Sequence, residues 1–319
     1  MSWVAWRQYR AAVAALAAML GAIGLFVLVT GLRMRAFEGG LDCLGVNAAP
    51  SCGGQGDFNR AFGNLSGLGA WSNLLPGIAG VFLGAPLVAR ELERGTHRLV
   101  WTQGVTRVRW LSAEVAVALG ASVATGALLA ALMTWWRQPF DIIGSRLAPD
   151  AFDLEGVMPA VDAAFAFSLG AAAGAVIRRV VPAMVATFAV FLAVRLPVMA
   201  WVRPHLLPAT TVTGSPAGIK AVEAPEGAWV LDSGLIDRSG HQVFNAEVTA
   251  ACPPPAVSAG TPKVDGVDAC LADHGFRVSV TYQPAEHFWP LQLIEGAIYL
   301  ALIAGLLVLT VVWVRRRLV

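Results

Sequence analysis

Apolar residues along this chain gather in long blocks instead of alternating with polar ones. Blocks bounded by charges run over Ala11–Leu32, Ala70–Ala89, Leu111–Trp135, Pro159–Ile177, Val180–Val202 and Pro290–Val314. Each has about 19–25 residues, which as helix covers roughly 28–37 Å and so crosses a hydrocarbon layer of about 30 Å. An isolated strand would leave its backbone polar groups unpaired in lipid. The pattern predicts an all-α polytopic membrane protein with six transmembrane helices.

Six spans put both termini on one side, and the arginines say which. Arg7, Arg10, Arg90, Arg94, Arg98, Arg107, Arg109, Arg178, Arg179, Arg315, Arg316 and Arg317 all fall on the termini side, against only Glu91 and Glu93. By the positive-inside rule that side is expected to be cytoplasmic, with the chain a multi-pass protein of the plasma membrane. The run behind Arg7 and Arg10 is too long for a signal-peptide core and lacks a small-x-small site, so it reads as an uncleaved anchor. Composition agrees: 56% of residues are hydrophobic and 14% charged, where soluble proteins carry about 25% charged residues. A formal charge of +2 gives no reason to expect a nucleic-acid partner.

On the opposite side, Cys43 and Cys52 share the first loop, and Cys252 and Cys270 share the last. That placement fits an oxidising compartment. Of the three pairings that four cysteines allow, the local one, Cys43–Cys52 and Cys252–Cys270, is expected because each pair shares a short Gly/Pro-rich loop. The segment 203–289 is too long for a connector. Its alternating run Arg277–Tyr282 reads as a strand, so a small disulfide-stapled extracellular cap is expected there. The division is then 1–202 for five spans, 203–289 for the outer loop domain, and 290–319 for the sixth span and tail.

Polar residues in or near the spans are few: Asn73, Glu114, Asp162, Ser168, Arg195 and Glu295. Intramembrane charge is costly and marks a partner or a cavity. Arg195 and Glu295 are the deepest by count, and an ion pair or shared polar pocket between them is expected. Small residues four apart, Gly80/Gly84 and Gly170/Gly174, allow close helix approach; packing within the subunit is the preferred use, a dimer seam the alternative.

The first inner loop, Arg90–Trp110, punctuates itself as helix, break, short helix, break, helix. Gly95 can end the second span, Thr96 can cap a short helix, Gly104 can end it, and Thr106 can cap the third span. The short helix buries Leu99, Val100 and Trp101 and presents His97, Arg98, Thr102 and Gln103, as an interfacial helix would. A second span running into Glu-x-Glu-x-Gly-Thr, a short helix with Thr-Gln, then Arg-x-Arg-Trp-Leu resembles the permeases of type-2 exporter ABC transporters, particularly actinobacterial ones. Trp3–Arg10 is similar to the amphipathic helix that precedes their first span. The resemblance implies a coupling helix at about 91–104, with Glu91, Glu93, Gly95, Thr96, His97, Arg98 and Gln103 as candidate contacts to a separate ABC ATPase subunit. It further implies a second permease copy, giving a homodimer in a four-subunit complex, with ATP and Mg bound by the ATPase and no cofactor in this chain.

Enzyme signatures are missing from the sequence. Gly214–Lys220 has the wrong spacing for a phosphate loop, and the chain's two lysines, Lys220 and Lys263, both fall on the outer side. The histidines show no His-Glu-x-x-His spacing and the cysteines no Cys-x-x-Cys, so no metal site is expected. Ser66 in Gly63–Gly67 has no histidine in a span to serve as its base. No catalytic residue is assigned. A second reading fits the same layout: a membrane sensor whose outer domain binds a ligand and whose inner loop reports to a cytosolic partner.

Overall fold

The computed structural model describes residues 2–37, 54–94, 107–216, 224–253 and 265–317. Six helices in it are long and apolar enough to span a membrane, with windows at Ala17–Arg35, Leu75–Glu93, Ser112–Ile143, Met158–Ile177, Val180–His205 and Ala285–Arg316. The helices that carry them are α1 (Ser2–Arg35), α3 (Leu75–Arg94), α4 (Arg107–Ile143), α6 (Met158–Ile177), α7 (Val180–Pro197) and α11 (Phe288–Arg317). The protein is a multi-pass membrane protein.

Helix α1 is continuous, so the expected amphipathic helix and first span are one element. The alanine-rich stretch Ala11–Ala18 contains neither Gly nor Pro, and alanine is the best propagator of helix. Residues 33–69, read from sequence as a loop, hold a further helix, α2 (Gly54–Ser72). Its fully buried Phe58, with Phe62 and Leu65, packs against Phe37 and Phe140. Those three residues sit at i, i+4 and i+7, one helical face. The turn Asn73-Leu74 then separates α2 from α3.

The small-residue pairs meet inside the subunit, between α3 and α6. A Cβ on Gly80 would lie 2.4 Å from the Ala163 carbonyl oxygen, one on Gly84 2.2 Å from that of Phe167, and one on Gly174 2.5 Å from that of Ala85. The two backbones are in direct contact, which larger side chains would forbid.

Helix α4 continues through Pro139. Proline has no N–H for the carbonyl four residues earlier. That carbonyl, on Trp135, instead accepts a hydrogen bond from Arg35 Nη2 of α1, which also donates to Gln138 Oε1 at 3.1 Å. The Arg35 guanidinium lies 4.0 Å from the Trp135 ring centroid.

An all-helical fold describes the spans and not the segment between the fifth and sixth. There β1 (Thr210–Gly214), β2 (Trp229–Ile236), β3 (Gln242–Val243) and β4 (Arg277–Gln283) form an antiparallel sheet in the order β1-β4-β2-β3. Val278, Val280 and Tyr282 alternate onto the packed face with Ala224 and Ala228, as the sequence pattern predicts. Two short helices, α9 (Asn245–Ala251) and α10 (Asp265–Asp273), are joined by the disulfide Cys252–Cys270. In the turn after β2, Asp237 is held below the usual carboxylate range by the Ser239 hydroxyl and the His241 backbone N–H. Buried Gln283 ties the sheet to the bundle, donating to the carbonyls of Pro204 (3.1 Å) and Leu207 (2.8 Å).

Candidate functional site

Beneath the sheet, α6, α7 and α11 converge on a set of charged side chains in an otherwise apolar core. Arg195 Nη1 donates to Glu295 Oε1 at 2.8 Å and to the Tyr299 hydroxyl at 3.3 Å, while Nη2 pairs with Asp162 Oδ2 at 3.0 Å and with Asp153. Arg203 takes the other side of the same carboxylate: its Nε is 2.8 Å from Glu295 Oε2 and its Nη2 2.9 Å from Oε1, and it too bonds Asp153. All six residues are buried.

Two guanidiniums thus face three carboxylates. Removal of charges from water costs several kcal/mol per ion, repaid only where geometry and hydrogen bonds are good. Glu295 meets that condition with three charge-assisted bonds. Asp162 does not, since neither of its oxygens accepts a hydrogen bond by strict geometry.

The backbone explains how both arginines reach one acid. In a regular α-helix, residues eight apart are about 80° out of register. Between Arg195 and Arg203 the chain passes through a π-helical turn, Val198–Val202, which follows Pro197 and leads into α8 (Arg203–His205). The wider turn takes up that offset, and π turns of this kind recur at functional sites. On α11, Gln292, Glu295 and Tyr299 are spaced i, i+3 and i+7, a polar stripe on one face of an apolar helix.

A second network adjoins the first through the segment after α4, which includes the one-turn α5 (Pro149–Phe152). Arg137, 5% exposed at its side chain, lies 3.3 Å from Asp150, 3.7 Å from Asp141 and 3.8 Å from Glu155; Arg146 Nε bonds Glu155 Oε2 at 2.7 Å. Gln292 fastens this segment to α11. Its amide donates to the carbonyls of Phe152 (3.0 Å) and Glu155 (3.1 Å), and its Oε1 accepts the Val157 N–H at 2.9 Å. Gly156 makes the turn at φ +62°, where a Cβ would meet Gln292 Oε1 at 2.6 Å. A cavity of about 910 Å³ opens beside Asp141, Arg146 and Glu155, between α4 and the start of α11.

The residues singled out from sequence are placed as follows. Arg195 and Glu295 are paired. Glu91 is buried, and Glu93 is exposed on α3, where its Oε2 accepts the Val180 N–H that opens α7, at 3.1 Å. Gly95, Thr96, His97, Arg98 and Gln103, and with them the expected coupling helix, lie outside the described residues, as do Cys43 and Cys52. Cys252 and Cys270 are bonded to each other; His274 lies close enough to make a Cys-Cys-His set, but a closed disulfide has no thiolate to offer a metal.

Arg203, Arg137, Asp153, Glu155 and Gln292 were not anticipated. Arg203 reads from sequence as the first residue of the loop, because a π turn leaves no mark in an apolar run. The stripe Gln292/Glu295/Tyr299 was legible as a helical face. Asp153 and Glu155 fall in a hydrophilic loop, and nothing local indicates that this loop folds back into the bundle.

A family model described as ABC-2 membrane transporter related matches residues 14–203. No curated protein and no solved structure matches the chain.

Proposed function

We propose that this chain, which belongs to the ABC-2 membrane transporter related family, is the membrane-spanning permease subunit of an ATP-driven exporter. Two copies would form the pathway, and two ATPase subunits, holding ATP and Mg, would dock on the arginine-rich termini end. The observation that carries this reading is the family match over the first five spans, taken with the Glu-x-Glu-x-Gly-Thr segment that joins the second span to the third. ATP-driven closure of the motor subunits would push the 91–104 segment. Glu93 gives that push a route, because its carboxylate holds the first turn of α7 through the Val180 N–H. Helix α7 in turn ends at the arginines that organise the buried charges.

Topology and coupling can be tested separately. A cysteine placed by Thr96→Cys should react with a membrane-impermeant maleimide in inside-out vesicles and not in intact cells. In proteoliposomes holding this chain with its cognate ATPase, Thr96→Arg should lower ATP turnover several-fold while the complex still assembles. Labelling from the outer surface would overturn the orientation, and unchanged turnover would overturn the coupling role. The sensor reading is left without a specific observation in its favour, since the family is one of transporters.

A further inference from the structure

The cavity of about 910 Å³ between α4 and the start of α11 has walls of two kinds. Ala127, Ala130 and Ala131 of α4 and Ala160 of α6 make an apolar side with no side-chain donor or acceptor. From Ala127 to Ile142 the cavity follows α4 for about 22 Å, enough to run from mid-bilayer to the interface through the roughly 15 Å of one leaflet's hydrocarbon. Just past the end of α4, Arg146 lines the cavity with its guanidinium 4.1 Å from the Phe288 ring. Trp289, 53% exposed, lines it too, as tryptophans do at a membrane interface.

The charge that a ligand meets at this end is positive. Asp141 Oδ1 and Glu155 Oε1 are occluded and lie 3.7 and 3.8 Å from Arg137 Nε, so neither carboxylate is offered to the cavity by those atoms. The Arg146 side chain, by contrast, is 41% exposed. A guanidinium is a fork with donors on two edges. Nε of Arg146 is taken by Glu155 at 2.7 Å, whereas Nη1 and Nη2 hydrogen-bond to no side chain or carbonyl among the described residues. Gln138 Oε1 already accepts from Arg35, which leaves its amide N–H groups to donate, and the Thr134 hydroxyl lines the same wall. Unused donors around one guanidinium select an acceptor-rich anion, and the paired Nη groups match two oxygens of a phosphate.

We propose that a phospholipid occupies this cavity, with its phosphate on the Nη edge of Arg146 and one acyl chain along the alanine wall. A water-soluble anion would leave that wall uncovered, and an uncharged lipid would leave the Arg146 donors unmet. The anchoring group is the phosphodiester, which zwitterionic and anionic phospholipids share; the acids behind Arg146 favour the zwitterionic ones. Occupancy of the site does not depend on whether the chain works as a permease.

The full chain in dodecyl maltoside micelles is photolabelled with a phosphatidylethanolamine that carries a diazirine on its acyl chain and, separately, with the diacylglycerol of the same chains, and the labelled peptides are identified. The phospholipid should label residues 127–160 about tenfold more efficiently than the diacylglycerol. Arg146→Gln should abolish that preference, and Ala131→Trp, on the exposed part of the wall, should block labelling with the melting midpoint unchanged. Unlabelled phosphatidylethanolamine should compete, and inorganic phosphate at the same concentration should not. Equal labelling by the two probes, a preference that survives Arg146→Gln, or labelling that Ala131→Trp leaves intact overturns the proposal. Competition by inorganic phosphate, or by palmitate where the phospholipid fails to compete, overturns the choice of ligand.

Discussion

Arg195 and Asp162 are neighbours at 3.0 Å, yet their removal should have very unequal consequences. Arg195→Met deletes the contacts to Glu295, Tyr299, Asp153 and Asp162 together and leaves one guanidinium facing three buried carboxylates. Loss of one partner from a buried ionic set costs about 3–5 kcal/mol, because the remaining charges stay desolvated. Asp162→Asn instead equalises the charges, two against two, and removes an acid that accepts no well-formed hydrogen bond. Its cost should be under about 1 kcal/mol and can be of either sign. The assay is reversible unfolding of the full chain in mixed micelles, with the double variant closing a thermodynamic cycle. In the Asp162→Asn background, Arg195→Met should cost about 1 kcal/mol less than in the parent. Equal losses for the two single variants, or a cycle with no coupling, would refute the charge accounting.

Gly84→Val drives a side chain onto the Phe167 carbonyl, a backbone atom that cannot give way, so the α3–α6 seam should part, with loss of monodisperse protein by size-exclusion chromatography and at least about 1–3 kcal/mol of stability. Arg35→Met strips the Trp135 carbonyl of its donor and should cost about 1 kcal/mol; Pro139→Ala, which restores the ladder N–H, should recover much of it, a rescue read in the same unfolding assay. Cys252→Ser with Cys270→Ser frees a loop of 18 residues and should lower the stability of the sheet domain by about 3 kcal/mol, seen as faster proteolysis between α9 and α10 with the spans intact.

What could be read from the chain follows from how each feature is encoded. Spans announce themselves through composition over about 20 residues, so all six windows overlap the expected blocks. The strand at Arg277–Tyr282 shows because alternation is a local, period-two signal. Helix α2 was missed although Phe58, Phe62 and Leu65 lie on one helical face, because glycines at 54, 56, 63, 67 and 69 argue locally for a loop while the contacts with Phe37 and Phe140 decide for a helix. The charged site was half legible. Arg195 and Glu295 stand out as charges inside apolar runs, whereas Asp153 and Glu155 lie in a segment as polar as any connector. Only the return of that segment into the bundle, clasped by Gln292, turns them into partners of the arginines.

The glycine seam has a mechanical consequence. Two helices whose backbones touch over several turns cannot slide or bend independently, so α3 and α6 act as one stiff strut. On the coupling proposed above, pressure on the end of α3 that carries Glu91 and Glu93 would be delivered at the far end of α6, to Asp162, the least firmly held carboxylate of the buried set.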